Sequence, residues 1–253
     1  MNPIIELIDA RCSTRAYAAT PITVEERRAV LHAAMRAPTG GNMMPYTILE
    51  IEDQELKDRL AVTCDDQPFI AKAPWVLVFV ADMRKWTDLF QAGGPPAADG
   101  TTPRRRLGLG DLLMAASDAV IAAQNAVIAA ESLGIGSCYV GDILERGEAH
   151  AELLGLPAGT MPVAMLCLGR PAGRPKATPR YEPHVVQRDR YRLLDSAELR
   201  ETLDGMGALH APHGLPAGVR DFGQYVYARK FDQDFMVEMN RSCDWWLDRW
   251  GEA

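Results

Sequence analysis

Two arginines with hydroxyl side chains between them stand close together near the N-terminus, in the segment Arg11-Cys12-Ser13-Thr14-Arg15. In an extended backbone alternate side chains project to the same side, so Arg11, Ser13 and Arg15 could converge on one anion. Guanidinium groups bind phosphate through paired, charge-assisted hydrogen bonds. The segment therefore predicts either a phosphate site or the solvated basic end of a helix.

Three later segments carry the glycines and polar groups that a bound nucleotide ring requires. Residues 37–45 (APTGGNMMP) place two glycines and Asn42 between prolines, which leaves backbone N–H groups and an amide accessible. Residues 134–142 (GIGSCYVGD) contain Gly141, and glycine permits close approach of the backbone to a ligand. Residues 169–180 carry several cationic side chains after an apolar run. Each segment alone also fits an ordinary turn or a solvated loop.

The hydrophobic pattern predicts the elements that would position these segments. The expected helices and strands are helices at 2–10, 22–36 and 55–64 and strands at 46–52, 75–81 and 161–169. The run 75–81 (WVLVFVA) is apolar throughout, as in a central strand. Strands and helices do not alternate regularly, which favours an α+β fold over a doubly wound α/β fold. Residues 91–110, rich in Gly and Pro, are expected to form a long loop of the kind that covers active sites.

The segment 111–133 is apolar except for polar pairs that recur every seven positions, at Ser117/Asp118, Gln124/Asn125 and Glu131/Ser132. This spacing predicts one narrow polar stripe on a helix that is otherwise buried nearly all round. Eight of its residues are alanine, and such small side chains let neighbouring backbones approach closely. A core helix of one monomer and a helix at a two-fold subunit interface both fit this pattern.

Composition and charge limit the class of protein. Residues 1–200 are expected to form one domain, and residues 201–253 a C-terminal extension that ends in an amphipathic helix. The net charge of -7 argues against a nucleic-acid-binding protein. Polar residues interrupt the most apolar stretch, so no membrane span is expected. The N-terminus has no cationic region followed by a long apolar run, and we expect a cytoplasmic protein.

Several motifs with a defined chemistry do not occur in the sequence. The five cysteines include no CxxC pair, and neither HExxH nor GxxxxGK[ST] is present. His210 and His213 form a lone HxxH among glycines and prolines, which fits a solvated loop better than metal ligation. No metal site is therefore expected, and no side chain is assigned as a catalytic acid or base.

Together and in this order, the segments resemble those of the nitroreductase superfamily over roughly residues 3–195. Members typically begin with R-x-S-x-R/K and continue with P-S-x-x-N-x-Q-P-W, an apolar helix ending in a glycine turn, and an apolar strand followed by G-x-P. The stretch from Asp118 to Asp142, DAVIAAQNAVIAAESLGIGSCYVGD, resembles one branch in particular. The resemblance implies an α+β fold with a central, mainly antiparallel sheet flanked by helices. It also implies a long central helix at a homodimer interface.

The resemblance further implies which residues bind an FMN cofactor. Arg11, Ser13 and Arg15 would hold the FMN phosphate, helped by Arg180. The backbone of Cys12 would lie against the same phosphate. These assignments give the cationic segment near the N-terminus a specific ligand.

The flavin ring would be contacted by two other segments. The contacts from the other subunit would come from Pro38, Thr39, Gly40 and Asn42. The backbone N–H of Val140 or Gly141 would meet the flavin N5. Met44 stands where the family usually has glutamine, and Tyr46 where it usually has tryptophan. These two departures affect the expected substrate preference and leave flavin binding as expected.

The activity implied by the resemblance is FMN-dependent oxidoreduction. NADH or NADPH would reduce the flavin and leave, and a nitroaromatic, quinone or similar small acceptor would then bind in its place. Other flavin chemistry on the same fold, such as reductive dehalogenation or flavin breakdown, is one alternative. A non-catalytic FMN-binding protein is another. The long loop at 91–110 favours an enzyme, because a storage protein needs no selective gate.

Overall fold

The computed structural model describes residues 2–93, 105–173 and 177–253. The chain folds as two compact units, one formed by the residues up to Ala177 together with Glu238–Ala253 and the other by Thr178–Val237. This division differs from the expected boundary after residue 200. The reason lies in the C-terminal helix, since Trp246 and Trp250 are fully buried in the core of the first unit.

The first unit is built on a four-stranded antiparallel sheet. Its strands are β1 (Tyr46–Ile51), β2 (Trp75–Asp82), β3 (Gly136–Val140) and β4 (Thr160–Gly169), in the order β1-β2-β4-β3. Every residue of β2 is buried, which confirms the central strand predicted from its continuous apolar run. The antiparallel sheet with helices around it confirms the α+β class.

Helices surround this sheet, and they include those predicted at 2–10, 22–36, 55–64 and 111–133. They are α1 (Pro3–Ala10), α2 (Val24–Met35), α3 (Gln54–Thr63), α4 (Pro68–Ala71), α5 (Arg84–Gly93), α6 (Leu109–Ser132), α7 (Gly147–Leu154) and α10 (Asp234–Trp250). Three of them, α4, α5 and α7, were not predicted. The Thr23 hydroxyl accepts a hydrogen bond from the Glu26 N–H at the start of α2. The Glu26 carboxylate in turn accepts one from the Thr23 N–H. Of the loop predicted over 91–110, residues 94–104 lie outside the described residues, and the positions on either side include the end of α5 and the start of α6.

The alanines of α6 belong to the core of a single protomer. The helix packs against α2, β2 and β4. Its fully buried alanines are Ala115, Ala119, Ala122, Ala123, Ala126 and Ala130. By length and composition α6 is also apolar enough to cross a membrane, but these contacts are those of a core helix. The alanine pattern is therefore explained by close packing of α6 on the sheet.

A different face of α6 is apolar and exposed, so the expectation of burial nearly all round is wrong for one protomer. The exposed residues are Leu109, Leu113, Met114, Val120 and Ile121. The polar stripe does not simply face solvent either. The amide of Asn125 donates to the carbonyl of Ala33 in α2 (3.2 Å), so part of the stripe joins two helices.

A buried histidine joins α7 to α3. His150 is completely buried, with Nδ1 3.0 Å from the carbonyl oxygen of Ile143 and Nε2 2.8 Å from the hydroxyl of Thr63. A carbonyl oxygen can only accept, so Nδ1 carries a proton and donates a hydrogen bond to Ile143. Burial lowers the pKa of His150, and the fold therefore holds the ring neutral.

The second unit contains α8 (Ser196–His210) and α9 (Phe222–Val226), followed by a π-helical turn over Tyr227–Phe231. Asp195 caps α8 and the ring of His210 stacks on that of Phe222, with centroids 5.5 Å apart. Neither α8 nor α9 contains a fully buried residue.

Candidate functional site

The segment 11–15 runs alongside β3 and is fixed to it. The backbone N–H of Thr14 donates to the carbonyl of Ser137 (2.9 Å), and Ser13 forms a parallel bridge with the same residue. Thr14 is buried against Gly136, where an added Cβ would lie 2.2 Å from the Thr14 hydroxyl oxygen. Only glycine at position 136 allows this approach. Gly136 therefore lets the segment 11–15, which carries the two arginines, lie directly against β3.

Arg11, Ser13 and Arg15 all lie near enough to Cys138 to affect its thiol. Burial raises the pKa of this thiol, and the positive charge of Arg15, a hydrogen bond from Ser13 and the charge of Arg11 oppose the rise. The Arg15 guanidinium also lies over the ring of Phe69, 5.6 Å from its centroid. The three side chains predicted to converge on a phosphate thus all lie near Cys138, and their binding of a phosphate stays a prediction. The sequence did not single out Cys138.

The end of β3 leads into an open turn beside this cluster. Val140 is buried within the strand, whereas Gly141 is exposed just beyond it. A Cβ added at Gly141 would meet no atom of the described residues within 4 Å. Cys12, in the adjacent segment, is half-buried. The backbone of Gly141 is therefore accessible to a ligand from outside.

The loop 38–44 is anchored to α6 through one carboxylate. Asp118 accepts hydrogen bonds from the Thr39 hydroxyl (2.7 Å) and from the Gly40 N–H (3.0 Å). The Thr39 oxygen in turn accepts from the Met44 N–H (2.9 Å). Sequence reasoning placed Asp118 only in the polar stripe of α6, and that stripe was the signal for this anchoring role.

The remaining predicted residues of this loop face outward. Pro38, Gly40 and Asn42 are exposed, and Asn42 and Met44 have positive φ angles of 56° and 50°. Such angles are uncommon for residues other than glycine, and here the bonds to Thr39 and Asp118 stabilise them. The loop presents a fixed, exposed backbone with one amide side chain.

The loop 38–44 and the segment 11–15, the two parts of the candidate site, attach to the rest of the protomer at different places. The loop 38–44 joins α6 at Asp118, and the segment 11–15 pairs with Ser137 just beyond the end of α6 at Ser132. Within one protomer the two groups of predicted ligands are therefore attached to different elements, the loop 38–44 to α6 and the segment 11–15 to β3.

The cations that follow β4 have separate positions. Arg170 pairs with the carboxylate of Glu26 and donates to the carbonyl of Leu133, so it joins α2 to the end of α6. Arg180 belongs to the second unit, where it lines a shallow cleft with Tyr181 and Gly205. The predicted basic loop is thus divided between two units, and Arg170 is engaged in packing.

Comparison with known proteins identifies the family. Residues 8–170 match the nitroreductase family. The chain is 34% identical over 197 residues to an oxygen-insensitive NADPH nitroreductase of Salmonella typhimurium, covering 77% of each chain. It is 30% identical over 213 residues to an NADPH-flavin oxidoreductase of Vibrio harveyi, covering 83% of this chain and 84% of the relative.

A solved structure gives the same assignment. The NADPH:FMN oxidoreductase of Vibrio harveyi complexed with NAD+ superimposes with a TM-score of 0.76 at 26% identity, over 96% of this chain and 98% of the other. The matched family region includes the segment 11–15, the loop 38–44 and the turn at Gly141. The chain belongs to the nitroreductase family.

Proposed function

We propose that this protein is a cytoplasmic, FMN-dependent oxidoreductase that passes electrons from NADH or NADPH to a nitroaromatic, a quinone or a similar small acceptor. The observation that carries the proposal is the position of Arg11, Ser13 and Arg15 near Cys138, in the strand that ends at the open turn of Gly141. The names of the two relatives, an NADPH nitroreductase and an NADPH-flavin oxidoreductase, support both the electron donor and the class of acceptor.

The residues present fit FMN by the chemistry of their donors. Two guanidinium groups and a hydroxyl lie near the Cys138 thiol, and this set of donors suits a single terminal phosphate. The exposed glycine turn beside them leaves room for a flat ring next to the backbone. Bound FMN supplies the electron-transfer chemistry, and the chain's own groups hold and orient it.

The exposure of the turn favours Gly141 over Val140 as the N–H donor to the flavin N5. Gly141 is exposed and Val140 is buried in β3. A backbone donor held at the end of a strand stays in place during turnover, so it costs no reorganisation when charge develops on the ring. Arg180 would add a further cation to the phosphate.

We further propose that the active form is a homodimer with two flavin sites. The exposed apolar face of α6 is a surface that a second copy would cover. The attachment of the segment 11–15 to β3 and of the loop 38–44 to α6 fits a site completed by two chains. Pro38, Thr39, Gly40 and Asn42 of one protomer would then contact the flavin held by Arg11, Ser13 and Arg15 of its partner.

The kinetic sequence follows from the use of one site. The reduced nicotinamide and the acceptor would occupy the same place in turn, so NAD(P)H would leave before the acceptor enters. No side chain is assigned as a proton donor.

The experiment is reconstitution with FMN followed by steady-state kinetics. The purified protein should be yellow and should release FMN on denaturation. Oxidation of NADH and of NADPH, each measured with menadione and with a nitroaromatic, should give parallel double-reciprocal lines. Release of FAD, or no flavin after reconstitution, would refute the cofactor. Intersecting lines would refute the ping-pong sequence, and bound FMN without turnover would identify a non-catalytic flavin protein.

A further inference from the structure

Three carboxyl groups from two distant parts of the chain meet next to the end of β3. Asp65 follows α3, and Asp142 and Glu145 lie in the turn between β3 and α7. One oxygen of each lies within 4.8 Å of the other two. No sequence motif indicates the cluster, because Asp65 is separated from Asp142 and Glu145 by most of the chain between α3 and α7.

Glu145 is the unusual member of this cluster. The residue is only 2% exposed, and its Oε1 has no hydrogen-bond partner among the described residues. A buried oxygen without a partner loses the hydration it would have in water, which is costly for a group that can ionise. A buried polar atom without a partner indicates that a ligand supplies the missing interaction.

The turn that carries Glu145 is held in place by α10. The N–H of Arg146 donates to the carboxylate of Glu238 (3.1 Å), and the N–H of Gly147 donates to the hydroxyl of Ser242 (2.8 Å). A Cβ added at Gly147 would lie 2.6 Å from the ring of Trp245. These contacts fix the backbone immediately after Glu145.

The electrostatics of the cluster favour a cation. The nearby carboxylates of Asp65, Asp142 and Glu238 repel a negative charge on Glu145, and Arg146 partly offsets this repulsion. Gln67 donates to Asp142 (2.5 Å), which orients one carboxylate but adds no positive charge. A bound cation would offset the repulsion among all three groups.

We propose that Asp65, Asp142 and Glu145 form a binding site for a divalent cation of the size of Ca²⁺. Carboxylate oxygens are the donors that hard cations such as Ca²⁺ and Mg²⁺ prefer. Calcium lies 2.3–2.6 Å from its ligands, so oxygens on opposite sides of it are about 4.6–5.2 Å apart. Oxygens that all lie within 4.8 Å of one another fit around such an ion, and Ca²⁺ accepts an irregular set of carboxylates more readily than Mg²⁺, which demands a near-ideal octahedron.

The test measures cation binding on the full-length protein, independently of turnover. After treatment with EDTA and dialysis, the protein is titrated with Ca²⁺, with Mg²⁺ in parallel, and thermal unfolding is recorded. Terbium emission gives a second readout, because the indole of Trp245 lies close enough to the turn to sensitise a bound lanthanide. Calcium should raise the unfolding temperature of the wild type more than magnesium does.

Two variants and a matched control locate the effect. Asp65→Asn removes an exposed ligand without disturbing the core, and asparagine tolerates the positive φ of 58° there. Asp66→Asn is the control, since Asp66 is exposed, has a φ of 47° and lies outside the cluster. Asp65→Asn should weaken calcium binding at least about tenfold, because affinity depends on the number of charged ligands. Asp66→Asn should bind calcium like the wild type.

Glu145→Gln separates the cation site from a merely protonated glutamate. The glutamine variant should lose calcium binding, yet its metal-free form should be at least as stable as the wild type at pH 8, because the buried charge is gone. If Glu145→Gln does not fold, Asp65→Asn still decides the question. The same calcium response in Asp65→Asn as in Asp66→Asn, or no response in the wild type, would overturn the proposal.

Discussion

The exposed face of α6 allows the proposed homodimer to be tested by one substitution. Leu113 is 59% exposed in a single protomer and lies on the apolar face that a second copy would cover. Leu113→Ala removes most of the side chain while keeping a residue that favours helix. Ala123, by contrast, is completely buried in the protomer, so a charge placed there would disrupt the fold before it tested any interface.

The expected effect follows from the exposed fraction. Full burial of a leucine side chain contributes about 2 kcal/mol, so covering the exposed 59% of Leu113 contributes about 1.2 kcal/mol per copy. A two-fold interface contains the residue twice. The dimer dissociation constant should therefore rise by about 50-fold, the equivalent of about 2.4 kcal/mol. Leu113→Asp should have a larger effect, because each buried charge costs several kcal/mol.

The assay is analytical ultracentrifugation over a range of concentrations, with the flavin content measured on the same samples. Val62→Ala is the matched control, because Val62 is 56% exposed on α3 and lies outside the α6 face. Dimerisation and FMN retention should weaken together in the Leu113 variants, since each stabilises the other. A monomeric wild type that keeps its full complement of FMN would refute the two-chain site. Equal effects of the Leu113 and Val62 substitutions would refute the interface.

Three further outcomes are expected. Arg15→Ala should weaken FMN binding by about 1.5–3 kcal/mol in a fluorescence titration, and an equal loss in Arg59→Ala, an exposed arginine on α3, would contradict a specific phosphate site. Gly136→Ala should lower the unfolding free energy by ~1–3 kcal/mol, because its Cβ would overlap Thr14; unchanged urea unfolding would contradict this. His150 is held neutral while the unfolded chain protonates near pH 6.5, so acid should reduce the unfolding free energy less in His150→Gln than in the wild type.

The sequence was sufficient where one physical effect dominates a segment. The apolar run 75–81 could only be a buried strand, and it is the second strand of the sheet. In the segment 11–15 an extended backbone predicts that alternate residues lie on one side, and in the structure Arg11, Ser13 and Arg15 all affect the thiol of Cys138. Local rules fix both the type of element and the direction of its side chains in these cases.

The sequence could not predict which neighbouring element each face of a helix, or each polar side chain, contacts in the fold. The alanines of α6 fit a monomer core and a subunit interface equally well, because periodicity does not name the neighbour. Asp118 appeared as one polar residue in a stripe, and only the fold shows that it fixes the loop at Thr39. The meeting of Asp65 with Glu145 likewise depends on how α3 packs against the turn before α7.

The burial of α10 has a consequence for the order in which this protein can fold during synthesis. Trp246 and Trp250 fill the same core as β2 and β4, and Ser242 bonds to the turn after β3. The ribosome makes all four strands before it makes this helix. The core of the first unit therefore lacks these two indole side chains until the whole second unit has been translated. A ribosome that stalls in Thr178–Val237 leaves a nascent chain with apolar surface exposed, and chaperones recognise such a chain.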